Sequence, residues 1–253
     1  MGKKIAFLSA LGGQGTSLSV ACVARAAASS GRSAVLVDAC GFGGTLSYIT
    51  GVGEDAVMNL NDVASGECQP EEAFLDCGEN IKLLPAGGFS ERNFSPLSVE
   101  VRRVIESLGR EYDVFVDIPS GTVPDCGMAG CLDTFVICSR ADAMSLQYAS
   151  MLCRLIRKAS AQTAGSCEIR LLLTDFSPES MKLCGVQDID ACIDTVGARL
   201  VGVMPHDSRA QESALSGKPP DERCGIVRYA GDTAERLFGG RVPLDAGRSF
   251  RLM

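Results

Sequence analysis

Ala10-Leu11-Gly12-Gly13-Gln14-Gly15-Thr16-Ser17 is the stretch on whose reading the fold turns. Before it lies an apolar run, Ile5-Ala6-Phe7-Leu8, with the pattern of a buried strand. After it, residues 17–30 are Ala-rich and read as a helix. Strand, glycine loop and helix in that order aim backbone N–H groups at one point. The positive end of the helix dipole adds to them, so the arrangement suits a phosphate. The glycines leave the backbone bare where an anion must approach it. A loop of this class also carries a Lys directly before its Ser or Thr. Here that place belongs to Thr16, so the loop has the glycines of a phosphate cradle without its charge.

Outward from the loop, strand and helix patterns alternate. Ala34-Val35-Leu36-Val37 reads as the second strand and ends on Asp38, followed by Ala39 and Cys40. Val114-Phe115-Val116 reads as a later strand and ends on Asp117, followed by Ile118-Pro119-Ser120-Gly121. A carboxylate at the carboxyl end of a parallel strand lies on the ligand edge of its sheet. Mg²⁺ keeps several waters and binds through few protein oxygens, so Asp117 is placed to hold its water shell. Further strands are predicted over 81–84, 134–138 and 169–174, and a last strand with its exit loop over 199–207. Short helices are predicted over 45–49, 60–64 and 70–75, and longer ones over 98–110, 141–160, 188–196 and 225–238. The helix over 98–110 shows a stripe of Val101, Val104, Ile105 and Leu108. The one over 141–160 shows an apolar face of Leu146, Ala149, Leu152, Leu155 and Ile156. The pattern predicts an α/β fold, a mostly parallel sheet of about eight strands with helices on both faces. It is read as one domain over 1–240 and a tail over 241–253.

Composition narrows the function classes. The 253 residues are 46% hydrophobic and 22% charged, an ordinary globular balance able to bury a large core. The net charge of −7 disfavours a broad nucleic-acid footprint or a polybasic membrane patch. Met1-Gly2-Lys3-Lys4 leads straight into the first strand and reads as no signal peptide, so a cytoplasmic protein is expected. Twelve cysteines with one His and no C-x-x-C pair do not make a zinc framework. Most, such as Cys22, Cys138, Cys153 and Cys192, stand in apolar stretches and read as buried thiols in a reducing compartment. In the tail, the basic and apolar end (Arg248, Phe250, Arg251, Leu252, Met253) is interrupted upstream by Pro243 and Gly247. It buries too little for more than weak membrane contact at the inner face of the plasma membrane.

From residue 3 to about 238, the chain resembles the MinD/ParA family, and most closely its MinD branch. The glycine loop lies on that family's deviant Walker A pattern, KGGxGK[ST], with Gly12, Gly13, Gly15 and Ser17 matching. Asp38 and Cys40 lie on its D-x-D switch I. Asp117-Ile118-Pro119-Ser120-Gly121 is similar to its Walker B and switch II. Arg199-Leu200-Val201-Gly202-Val203-Met204-Pro205-His206-Asp207 is similar to the phrase whose Pro-x-Asp loop lies against adenine. The resemblance implies a three-layer P-loop NTPase fold, with ATP or ADP and Mg²⁺ as ligands. It assigns nucleotide contacts to Gly12, Gly13, Gln14, Gly15, Thr16, Ser17, Leu18, Pro205, His206 and Asp207, and the metal to Ser17, Asp38 and Asp117.

It also implies self-dimerisation, division or polar-assembly proteins as partners, and a role in the spatial regulation of cell division or polar localisation. Leu11 and Thr16 stand where the family has lysines, and Cys40 stands where it has the carboxylate that orients the attacking water. The expectation is a degenerate ATPase with weak or no hydrolysis. The alternatives are a working MinD-type ATPase and a pilus- or flagellum-associated polar scaffold. A cysteine-held iron–sulfur cluster involving Cys126 and Cys131, as in a related fold, is a further alternative, against which stands that Cys126 has no convincing second cysteine placed with it, the loop near Pro85-Ala86-Gly87 having none.

Overall fold

The computed structural model describes residues 1–40, 44–52, 56–87, 95–96, 98–163, 165 and 167–244. Its elements in chain order are β1 (Lys4–Leu8), α1 (Thr16–Ser29), β2 (Ala34–Asp38), α2 (Thr45–Thr50), α3 (Leu60–Ser65), α4 (Pro70–Ala73), β3 (Leu75–Gly78), β4 (Ile81–Leu84) and α5 (Val99–Leu108). There follow β5 (Asp113–Asp117), α6 (Cys126–Cys131), β6 (Thr134–Ser139), α7 (Ala143–Ser160), β7 (Glu168–Phe176), α8 (Pro178–Leu183), α9 (Ile189–Val196), β8 (Arg199–Pro205), α10 (Ser208–Leu215) and α11 (Gly225–Leu237). The strands form an eight-stranded sheet in the order β3-β4-β2-β5-β1-β6-β7-β8. All neighbours run parallel except β3, which pairs antiparallel with β4 at the edge. The expected α/β architecture is present.

Side-chain alternation along the strands builds a core on each face. Ile5, Phe7, Leu36, Phe115, Val136 and Leu172 face the layer that holds α1, α2 and α11. Ala6, Leu8, Val35, Val37, Val116, Ile137 and Leu173 face the layer that holds α3, α5, α6, α7 and α9. Ile5, Phe7, Leu36 and Phe115 are all 0% exposed, so the central strands are covered on both sides and read as continuous apolar runs.

The helices follow their predicted stripes with two differences. In α5 the buried residues are Val101, Val104, Ile105 and Leu108, and Ser98 caps the helix by accepting the Val101 N–H. In α7 Leu146, Ala149, Leu152 and Ile156 are buried, but Leu155 is 41% exposed. It belongs instead to an outer stripe with Met144, Tyr148 and Met151, because 3.6-residue geometry puts these four on one face. The helix expected over 70–75 stops at Ala73, and Leu75 begins the antiparallel β3. Pro70 at the first helical position and the capping box of Gln69 and Glu72 start α4 well, but pairing with β4 takes the chain from Leu75 onward. Arg236 ties the end of the described chain down. Its guanidinium donates to the Val201, Val242 and Pro243 carbonyls. Residues 245–253 of the expected tail lie outside the described residues. Among the described residues no helix is long and apolar enough to cross a membrane.

Candidate functional site

The loop between β1 and α1 is open on its concave side. Gly13 and Gly15 have φ of +72° and +70°, left-handed backbone that glycine adopts without strain. A Cβ added at either would meet nothing within 4 Å among the described residues, so both glycines face open space. Gly15 is the N-cap of α1 and contributes no side-chain cap. The first amides of α1 therefore keep their donor capacity for an external acceptor, backed by the helix dipole.

Side chains brace the loop from behind. The Thr16 hydroxyl donates to Ser9 Oγ at 3.0 Å, and Ser9 Oγ donates to the Leu11 carbonyl at 3.0 Å. Thr16 is thus turned into the base of the loop. Gln14 is buried and reaches away from the cradle. Its Nε2 donates to Ser145 Oγ at 3.2 Å on α7, and its Oε1 accepts the Arg140 backbone N–H at 2.7 Å. Ser145 in turn donates to Asp142, the N-cap of α7, at 2.7 Å.

Beside the loop lies a carboxylate corner. Asp38 and Asp117 are register partners at the carboxyl ends of adjacent parallel strands, which puts both acids on the edge where the loop sits. They are 0% and 1% exposed. Asp38 accepts the Cys40 and Leu46 backbone N–H groups, each at 3.0 Å. Among the described residues Asp117 Oδ2 has no hydrogen-bond partner. Cys40 completes the group, and one ligand-type atom from each of the three residues lies within 4.8 Å of the others.

Charge is costly here. Burial pushes the Asp38 carboxyl up to about 6, against the pull of its two backbone N–H bonds. Burial and the neighbouring Asp38 push Asp117 up to about 7, while hydrogen bonds from Ser17 and Cys40 work the other way. Burial, then Asp117 and Asp38, push the Cys40 thiol up, so it stays a neutral thiol. A cation at this corner would relieve all three, and an orphaned buried carboxylate oxygen is the donor such a cation takes.

At the far end of the loop a cleft of about 90 Å³ is lined by Gly13, Gly15, Leu18, Thr174, Met204, Pro205 and Asp207, among others. Thr174 is 1% exposed and its hydroxyl has no partner. Arg140 and Asp175 form an ion pair that lines this cleft and also a neighbouring one of about 450 Å³. Asp175 additionally meets His206 Nδ1 at 2.6 Å and accepts Gln211 Nε2 at 3.2 Å.

The structure therefore gathers most of the residues singled out in the sequence. Gly13, Gly15, Leu18, Pro205 and Asp207 share one cleft, and Ser17, Asp38 and Asp117 meet beside the loop. Gly12 lies in the same loop, a Cβ there meeting Ser120 Oγ at 3.6 Å. Gln14 and Thr16 act as braces. His206 lines the larger cleft, on the other side of Asp175. The Asp207 carboxylate is taken up by the Arg209, Ala210 and Ile226 N–H groups, which hold the starts of α10 and α11. Cys126 is exposed and Cys131 is buried, its thiol donating to the Arg102 carbonyl. Sequence reading missed Arg140, Thr174 and Asp175. Each stands at or just past the end of a strand that had been identified, and that position was the available signal.

A mostly parallel sheet of this order, with a glycine loop between β1 and α1 and acids ending β2 and β5, is the fold class of P-loop NTPases. Within that class the chain is similar to MinD/ParA proteins over nearly its whole length. It is 28% identical over 256 residues to the septum site-determining protein MinD of Neisseria meningitidis, covering 94% of this chain and 92% of that one. It superposes with a TM-score of 0.80 on a chain of the MinC:MinD cell division complex of Aquifex aeolicus, at 22% identity, covering 96% of this chain and 98% of the other. With MinD of Pyrococcus horikoshii, solved as a complex with Mg-ADP, the TM-score is 0.79 at 22% identity, covering 94% and 97% of the two chains. No protein-family model matches the chain.

Proposed function

We propose that this chain is a MinD/ParA-type protein of cell-division or polar positioning whose nucleotide site keeps its backbone cradle and has lost the side chains of hydrolysis. The observation that carries the reading is the open loop at Gly13 and Gly15 beside the unpartnered Asp117 Oδ2. An unused turn would be expected to close on its own side chains, and a buried carboxylate oxygen without a partner is a standing cost. The similarity to MinD proteins, one of them solved with Mg-ADP, supplies the ligand class.

In this reading the amides of 12–18 receive phosphate, and the cleft bounded by Leu18, Thr174, Met204 and Pro205 receives the base. Ser17 and Asp117 would hold a divalent cation, with Asp38 behind them, and the ion would neutralise phosphate charge. Arg140 is the cation the chain itself places at the cleft. Leu11 and Thr16 bring no charge to the phosphates. Each missing charged contact costs about 2–4 kcal/mol in a water-poor site, which moves a micromolar site towards millimolar. Cys40, a weak acceptor held as a neutral thiol, does not orient a water as a carboxylate does. Residues 1–240 make the domain, 241–253 the tail. Self-association and protein partners, in the cytoplasm or at the membrane surface, would then be the output.

Calorimetry with MgADP and MgATP, together with a phosphate-release assay, tests the reading. Weak binding without turnover is the expected result. Turnover at the rate of an intact family member overturns the loss of hydrolysis, and absence of any nucleotide binding at millimolar concentration overturns the cradle.

A further inference from the structure

We infer that the corner formed by Asp38, Cys40 and Asp117 is a binding site for a thiophilic divalent cation of the Zn²⁺ or Co²⁺ class, in preference to Mg²⁺. The inference rests on the reading of this corner as the cation place beside the loop, and it changes which ion belongs there.

Three facts carry it. The ligand-type atoms of the three residues lie within 4.8 Å of one another, on the ends of two paired strands and the turn after one of them. Asp117 Oδ2 is buried and has no hydrogen-bond partner among the described residues. Among the described residues no lysine or arginine forms an ion pair or hydrogen bond with any of the three, and the contacts of Asp38 and Cys40 are to backbone groups. A cation set among the three would take up their free lone pairs and balance their charge.

The donor set chooses the ion. Mg²⁺ takes hard oxygens and water in near-octahedral array and gains little from sulfur. A thiolate with two carboxylates is a set that Zn²⁺ accepts, leaving a fourth position for water or a phosphate oxygen. Donor atoms on a tetrahedral zinc stand roughly 3.5 Å apart, so the three side chains would close on the ion by about an ångström. The Cys40 Sγ–H bond breaks as the Sγ–metal bond forms, and the proton leaves to solvent. Both Asp38 oxygens already accept a backbone N–H, which fixes their direction while leaving a lone pair on each.

The test uses the full chain, stripped with a chelator and free of nucleotide, titrated with Co²⁺. A sulfur-to-cobalt charge-transfer band that saturates at one ion per chain is expected. Zn²⁺ should displace it, and an approximately hundredfold excess of Mg²⁺ should not. Cys40→Ser should abolish the band, whereas Cys126→Ser and Cys184→Ser, at the exposed thiols, should keep it. Should Cys40→Ser fail to fold, Asp117→Asn gives a second reading. It retains the thiol and should weaken Co²⁺ by at least the roughly tenfold to hundredfold that supporting groups contribute at metal sites. No band in the wild type, a band that survives Cys40→Ser, or displacement by Mg²⁺ overturns the inference. MgADP calorimetry on the same preparation separates the two claims. Nucleotide binding without the band leaves the cradle standing and removes this site, and the band without nucleotide binding does the reverse.

Discussion

The glycine loop and the carboxylate corner lie at the same sheet edge, yet they are built from different material. The loop is backbone, its shape set by the positive φ of Gly13 and Gly15 and braced from behind by Ser9, Thr16 and Gln14. The corner is side chains, two buried acids and a thiol. On the proposed reading, Leu11 and Thr16 leave the loop without side-chain charge yet open, and Cys40 gives the corner a thiol where the family places a carboxylate. A site made of amides tolerates the loss of its side chains, whereas a site made of side chains becomes a different site.

Returning charge to the loop should have the largest effect. Thr16→Lys is expected to tighten MgADP binding by about tenfold to hundredfold, and Leu11→Lys with Thr16→Lys further, since a charge-assisted contact contributes about 2–4 kcal/mol in such a site. Calorimetry reads this directly. If the amides alone already bind at micromolar affinity and the lysine adds nothing, the loop's dependence on side-chain charge is disproved.

The corner should answer to pH instead. Asp38 and Asp117 have folded values of about 6 and about 7, both above the ordinary carboxylate range. Through that window the folded state holds protons that the unfolded chain has released. Their contribution therefore weakens as pH rises from about 4 to about 7 and is at its least favourable above that. In chelator, urea unfolding should show the corner costing stability at pH 8 relative to pH 5. Asp117→Asn should raise stability at pH 8 by about 1–3 kcal/mol and flatten the pH dependence. A wild type whose unfolding is insensitive to pH across this range would show that the acids are already neutralised.

Smaller effects test the bracing. Gln14→Ala removes two hydrogen bonds and leaves the Arg140 N–H without its acceptor, for a loss of about 1–3 kcal/mol by chemical denaturation. Gly15→Ala places a Cβ in left-handed backbone with open space around it, so only strain is felt, about 1–2 kcal/mol. A larger loss there would mean the loop is held more tightly than its contacts show.

Much of this architecture was legible before any coordinates. The apolar runs of β1, β2, β5 and β6 are long, buried on both faces and punctuated by glycine or a carboxylate, and they stand out in one dimension. The missed β3 carries Asp76 and Gly78 in a strand of four residues, and its identity comes from pairing with β4. Leu155 was placed inward because a stripe of leucines on α7 looks continuous, yet the core closes around Ala149, Leu152 and Ile156. At the site, residue types at strand ends were readable, but Gln14 meeting Ser145 spans 131 positions and no local pattern encodes it. The same holds for Arg140 with Asp175, a pair made by two strand exits brought side by side.

Gln14 has one more consequence. By gripping both Ser145 and the Arg140 amide, it splices the glycine loop to the first turn of α7, whose outer surface shows Met144, Tyr148, Met151 and Leu155 to solvent. The loop cannot shift on its own without tearing that splice. A displaced loop would either break those two hydrogen bonds or carry the start of the helix, and its apolar flank, with it.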